Sequence, residues 1–148
     1  CNSITTVGGT LPWVNNFRYL GIVLVQSHNF RCSLSHAKKS FYRSLSRIGR
    51  QNSEEVVLQL MSSKCLPILL YGLEACPLNK SDLNSLDFAV NRFLMKLFNT
   101  INVDIIAECR SFFNVPLPSC SISHRADTFV KKYSNCGNAL CKILAGIG

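Results

Sequence analysis

At Phe30 the spacing of apolar residues changes from that of a strand to that of a helix, and this divides the chain into two parts of different class. Before it, Ile4-Thr5-Thr6-Val7 is β-branched, Gly8-Gly9 is a two-residue turn signal, and a second strand can run from Thr10 to Val14. Pro12 confines that second strand to an edge or to an irregular ribbon. The run Phe17-Arg18-Tyr19-Leu20-Gly21-Ile22-Val23-Leu24-Val25 is the strongest strand candidate, and Gly21 inside it predicts a bulge or the close approach of another backbone. Residues 1–30 are expected to form a β-ribbon, and residues 31–148 one compact helical domain. The fold class expected is mainly α, a short N-terminal β-hairpin or ribbon followed by a bundle of about five helices.

After Phe30, Leu34, Ala37, Phe41, Leu45 and Ile48 fall within one arc at 100° per residue, and Lys39, Arg43, Arg47 and Arg50 fall opposite. Gly49 is a plausible end. Asn52 and Glu55 have the spacing of a capping box for a second helix, which runs through Leu60 and Met61 until Pro67 kinks or stops it. The stretch Ile68-Leu69-Leu70-Tyr71-Gly72-Leu73 is apolar all round and is expected to be buried. Ser81-Asp82 opens a third helix, with Leu83, Leu86, Val90, Phe93, Leu94 and Leu97 as its core stripe. Asn102 caps a fourth through Phe112 and Phe113, and Val115-Pro116-Leu117-Pro118-Ser119 breaks the chain. A fifth is expected over about Ser123–Tyr133 and a sixth, weaker, over Asn138–Leu144.

Charge is distributed unevenly. The formal net charge is +8, and before Glu54 there are seven basic residues (Arg18, Arg31, Lys38, Lys39, Arg43, Arg47, Arg50) and no acid. From Glu54 onward nine bases meet eight acids. At ~1.5 Å rise per residue, the row from Lys39 to Arg50 spans roughly 16 Å, enough to follow several phosphates. A surplus of this kind points to a polyanion or an anionic membrane surface. The apolar face of the same helix has the content of one docked on its own domain, which argues against the membrane. Ser40, Ser44 and Ser46 flank the row and are able to donate to phosphate oxygens. A plain solvated helix face is the alternative.

The reagents of catalysis are scattered. Asp82, Asp87, Asp104 and Asp127 are never adjacent, whereas two-metal phosphoryl chemistry requires carboxylates that hold both ions ~3.5–4 Å apart. His28, His36 and His124 sit in unrelated contexts and read as surface or loop residues. Cys120, His124, Cys136 and Cys141 can be drawn as a zinc site, but their spacings are irregular. The eight cysteines are scattered, several inside apolar runs, and no signal-peptide pattern precedes them. They are expected to be reduced, in an intracellular protein of the cytoplasm or nucleus. No stretch approaches the ~20 uncharged residues that cross a bilayer; Val56–Leu78, the most apolar, is interrupted by Lys64, Pro67 and Glu74. Because it starts at Cys1, the chain is expected to be a piece of a longer protein.

The string Phe17-Arg18-Tyr19-Leu20-Gly21, preceded by a glycine-turn hairpin, resembles the segment just after the palm of non-LTR (LINE-type) retrotransposon reverse transcriptases. In the same order, Ala37-Lys38-Lys39-Ser40-Phe41 resembles the Lys-rich helix after that hairpin. Cys65-Leu66-Pro67-Ile68-Leu69-Leu70-Tyr71-Gly72-Leu73-Glu74 resembles the family's Leu-Tyr-Gly-x-Glu signature. The likeness covers roughly residues 4–100. It departs at Cys76, where the family often has an aromatic, and the catalytic aromatic-x-Asp-Asp motif is absent.

The resemblance implies that Phe17, Arg18, Tyr19, Leu20 and Gly21 act as a primer grip. Lys38, Lys39, Arg43, Arg47 and Arg50 would be nucleic-acid contacts on a thumb that holds an RNA–DNA or RNA template duplex. Palm and fingers upstream in the same polypeptide would be the protein partner, and the magnesium of catalysis would belong to that palm, leaving no cofactor in this chain. The chain is expected to be inactive alone as a polymerase. A protein–protein interaction module and a non-functional relic of a transposable element are the alternatives. Glu74, in its apolar run, is expected to form a buried salt bridge to Lys64 or Arg92, with a part in nucleotide handling as the rival role.

Overall fold

The structure is a computed structural model that describes residues 4–6, 8–48 and 53–145. Two antiparallel hairpins come first: β1 (Ile4–Thr6) with β2 (Gly9–Leu11), then β3 (Asn16–Tyr19) with β4 (Ile22–Val25). The helices that follow are α1 (Ser35–Arg47), α2 (Glu54–Leu60), α3 (Leu66–Leu70), α4 (Lys80–Leu97), α5 (Val103–Phe112), α6 (Pro118–Ser134) and α7 (Ala139–Ala145). The fold is mainly α, as expected.

The first hairpin differs from expectation at its turn. Thr6 pairs with Gly9, so Gly9 belongs to β2, and pairing ends at Leu11, ahead of Pro12. Val7 lies outside the described residues. The second hairpin replaces the single strand expected over Phe17–Val25. Leu20 (φ 45°) and Gly21 (φ 87°) both take the left-handed region, the geometry that lets a two-residue turn match the twist of its strands. Gly21 is therefore a turn residue and not a bulge.

Helix α1 follows its period: Phe41 and Leu45 are buried, with Ala37 and Ile48 packed beside them. Gly49, its expected end, and Asn52, the expected cap of the second helix, lie outside the described residues. Helix α2 starts after Ser53, whose side chain makes no capping bond. Pro67 neither stops nor ends the helix. A π-helical segment, Met61–Cys65, joins α2 to α3, and Pro67 sits in the first turn of α3. The wider turn accommodates a residue that lacks an N–H and crowds the preceding turn.

Helix α4 opens on a full capping box. Asn79 Oδ1 accepts from the Asp82 N–H at 2.8 Å, and Asp82 Oδ2 accepts from the Asn79 N–H at 3.2 Å. Its stripe supplies Leu86, Val90 and Leu94 to the core. Asn102 caps α5 through the Asp104 N–H at 2.9 Å. Helix α6 begins at Pro118, earlier than the expected Ser123, because Asp87 of α4 accepts from the Ser119 N–H at 2.9 Å. Proline at the first position has no N–H to satisfy, and a carboxylate from another helix satisfies the second.

The core is one cluster running from Leu34, Phe41 and Leu45 through Met61, Leu69 and Leu86 to Ile106 and Ile122. Each such side chain contributes about 1.5–3 kcal/mol on burial. The helical run Glu54–Ala75 has the length and mean hydropathy, 1.5, of a membrane-crossing helix, which the sequence reading did not anticipate. It is the central core helix: Val57, Leu58, Met61, Cys65, Leu66, Leu69 and Leu70 are buried within the protein. Ile68 and Tyr71, expected inside, are exposed at 41% and 60%.

Cys32 and Cys76, read from the sequence as reduced, are paired as a disulfide, with Cα atoms 6.4 Å apart and a sequence separation of 44. Cys32 is brought there by the chain after β4, which pairs on that strand through a Leu24–Cys32 bridge. The bridge ties the hairpin region to the end of the 3-10 turn Leu73–Ala75.

Candidate nucleic-acid interface

Lys39, Arg43 and Arg47 are all exposed, one turn apart, on the side of α1 opposite Phe41 and Leu45. The first turn of the helix carries no acid. No carboxylate among the described residues forms an ion pair with any of the three. The row is therefore a strip of one sign, presented by a helix whose other face fixes it to the core. Arg50, its expected continuation, lies outside the described residues.

Lys38 leaves the row. It is half-buried, and its Nζ donates to Ser85 Oγ on α4. Of the flanking serines, Ser44 and Ser46 donate to the carbonyls of Ser40 and Arg43, at 2.6 and 2.8 Å. These two hydroxyls are spent on their own helix, and only their oxygens remain for another donor.

In the second hairpin, Phe17 faces Leu24 and Tyr19 faces Ile22 across the strands. Ile22 and Leu24 pack against the core, whereas Phe17 and Tyr19 are 52% and 60% exposed. Leu20, at the tip, is 72% exposed, and Arg18 is exposed on the opposite face with Val23 as its cross-strand partner. β4 is the inner strand, the one that packs on α1; β3 is the outer. Gly21 meets the Tyr71 ring, so the segments 17–21 and 71–72, far apart in sequence, adjoin in the fold.

Glu74 does not form the expected salt bridge. Its Oε2 is buried without a hydrogen-bond partner, and Lys64 and Arg92 are both exposed. Gly72 (φ 70°) ends the helix and starts the 3-10 turn that carries Glu74, and this turn packs against α6. Among the described residues no three His, Cys, Asp or Glu side chains converge on a metal position. Cys136 and Cys141 are near neighbours; burial and the adjacent Cys136 push the Cys141 thiol up. Burial likewise raises the Cys65 thiol.

Sequence reasoning missed the pairing of Lys38 with Ser85, whose partners are 47 positions apart. No local signal announces it. No protein-family model, no curated protein and no solved structure matches the chain.

Proposed function

We propose that the chain is a thumb-like nucleic-acid-binding module of an RNA-directed DNA polymerase of the non-LTR retrotransposon kind, one that holds a primer–template duplex and has no complete active site of its own. The observation that supports it is the exposed, unpaired row Lys39, Arg43 and Arg47 on a helix anchored by Phe41 and Leu45. Such a row contacts phosphates and positions a duplex without reading its bases. The aromatic, basic strand Asn16–Tyr19 supplies side chains suited to stacking and backbone contact. Palm and fingers of the same polypeptide would provide the catalytic metal. A module with this task works in the cytoplasm or nucleus.

The test is a titration with an RNA–DNA hybrid across a range of salt. Replacing Lys39, Arg43 and Arg47 by Glu is expected to flatten the log–log salt plot by about 0.9 per lost phosphate contact. An unchanged slope removes the row from any nucleic-acid interface and ends the proposal.

A second reading, docking on another protein, is favoured by the apolar side chains left exposed in and between the hairpins, among them Trp13, Phe17 and Tyr19. Absence of hybrid binding below tens of micromolar at low salt would favour it over the first.

A further inference from the structure

Where the loop after β4 meets the first turns of α1 and α4, the fold leaves an open cleft of about 410 Å³. Five hydroxyls line it: Ser27 and Ser33 from the loop after β4, Ser35 from the start of α1, Ser81 and Ser85 from α4. Two cations, Arg31 and Lys38, stand on its walls. Lys38 is steadied by Ser85, and Arg31 is exposed with no ion-pair partner among the described residues. The one acid in the lining, Asp82, is held in the capping box of α4, where the positive end of the helix offsets its charge.

We infer that this cleft seats a phosphate group, and specifically one backbone phosphate of the strand that runs along α1. Several hydroxyl donors, an ammonium and a guanidinium fork converging on one cleft suit a tetrahedral anion with many acceptor oxygens. The cleft reaches Ser35, one turn (about 6 Å) from Lys39, so row and cleft together span about 18 Å along the helix from Arg47 to Ser35. The inference rests on the nucleic-acid reading above and adds an end point to its track.

Three proteins separate the two ideas: the unaltered chain, Arg31→Ala/Lys38→Ala, and Lys39→Ala/Arg43→Ala/Arg47→Ala. Each is titrated with the hybrid over a salt series, and each is also titrated with inorganic phosphate while the Ser35 amide is followed by NMR. Since both cations share one phosphate, the double variant is expected to lose about 0.9 of slope in total and not twice that. It is also expected to lose the phosphate-induced shift at Ser35. If the row variant lowers the slope and the double variant does not, the cleft lies off the path and this inference falls while the functional reading stands. If phosphate shifts Ser35 but the double variant leaves the slope unchanged, the cleft takes a free phosphate and the strand assignment is overturned. If neither variant changes the slope, both fall. Arg31→Ala alone, at an exposed position, carries the same expectation should Lys38→Ala unfold the chain.

Discussion

Gly21 and Tyr71 touch where the tip of the second hairpin leans on the end of α3: a Cβ on Gly21 would stand 3.0 Å from Tyr71 Cε1. One position further on each chain, a Cβ on Gly72 would lie 2.5 Å from Ile22 Cδ1. The hairpin and the helical domain are thus fitted through two glycines, one on each side, both at positive φ.

Gly72→Ala is expected to destabilise the protein by about 2–5 kcal/mol, the sum of the left-handed backbone cost and the overpacking against Ile22. Gly21→Ala should cost about 1–2 kcal/mol from its backbone alone. Urea unfolding measures both. Ile22→Ala in the Gly72→Ala background should return part of the loss, and its failure to do so would show that the crowding has another source.

The Cys32–Cys76 bridge closes a loop of 44 residues, for which about 2–4 kcal/mol is expected. Thermal melts with and without reductant should differ accordingly, and Cys76→Ser should melt like the reduced protein. In a reducing compartment the pair stands as two adjacent thiols. Equal melting in both conditions would mean that the bridge does not form.

Thiol reactivity orders the remaining described cysteines. Cys120 is exposed, whereas Cys65 is buried and its thiolate is disfavoured by that burial. With Ellman's reagent at pH 8, Cys120 should react first and Cys65 only on unfolding. Reaction of Cys65 at the rate of Cys120 would contradict its position under α1.

Asp87→Ala should cost about 1 kcal/mol by leaving the Ser119 N–H unsatisfied at the start of α6. Asp87→Asn keeps an acceptor and should retain most of that stability. Equal losses for the two would assign the effect to charge and not to capping.

Glu74→Gln is expected to leave stability unchanged or raise it by up to about 1 kcal/mol, since its Oε2 has no partner to lose. A loss of more than about 1 kcal/mol would reveal an ion pair.

What could be read in advance was what lies within a turn or two of sequence. The face of α1 with Phe41 and Leu45, the stripe of α4 and the cap at Asn102 all depend on neighbours two to seven positions away, whereas the cap of α4 at Asn79 was missed in favour of a start at Ser81-Asp82. The row Lys39, Arg43 and Arg47 was legible for the same reason. The turn at Leu20–Gly21 was hidden because leucine rarely takes positive φ, so an aromatic and β-branched run looked unbroken. The start of α6, the direction of Lys38 and the pairing of Cys32 with Cys76 depend on partners 32, 47 and 44 residues away. Such partners are supplied only once the chain has packed.

The widened turn at Met61–Cys65 preserves the rotational phase of everything after it. A π turn takes one residue more than an α turn for about the same rotation, so removing one residue there would restore ordinary helical geometry and leave the following side chains close to their present phase. Leu69 would keep to the interior, and the Tyr71-Gly72 pair would still face the strand tip it now fits. A deletion in the α-helical turns on either side has no such slack and would swing the side chains beyond it by ~100°.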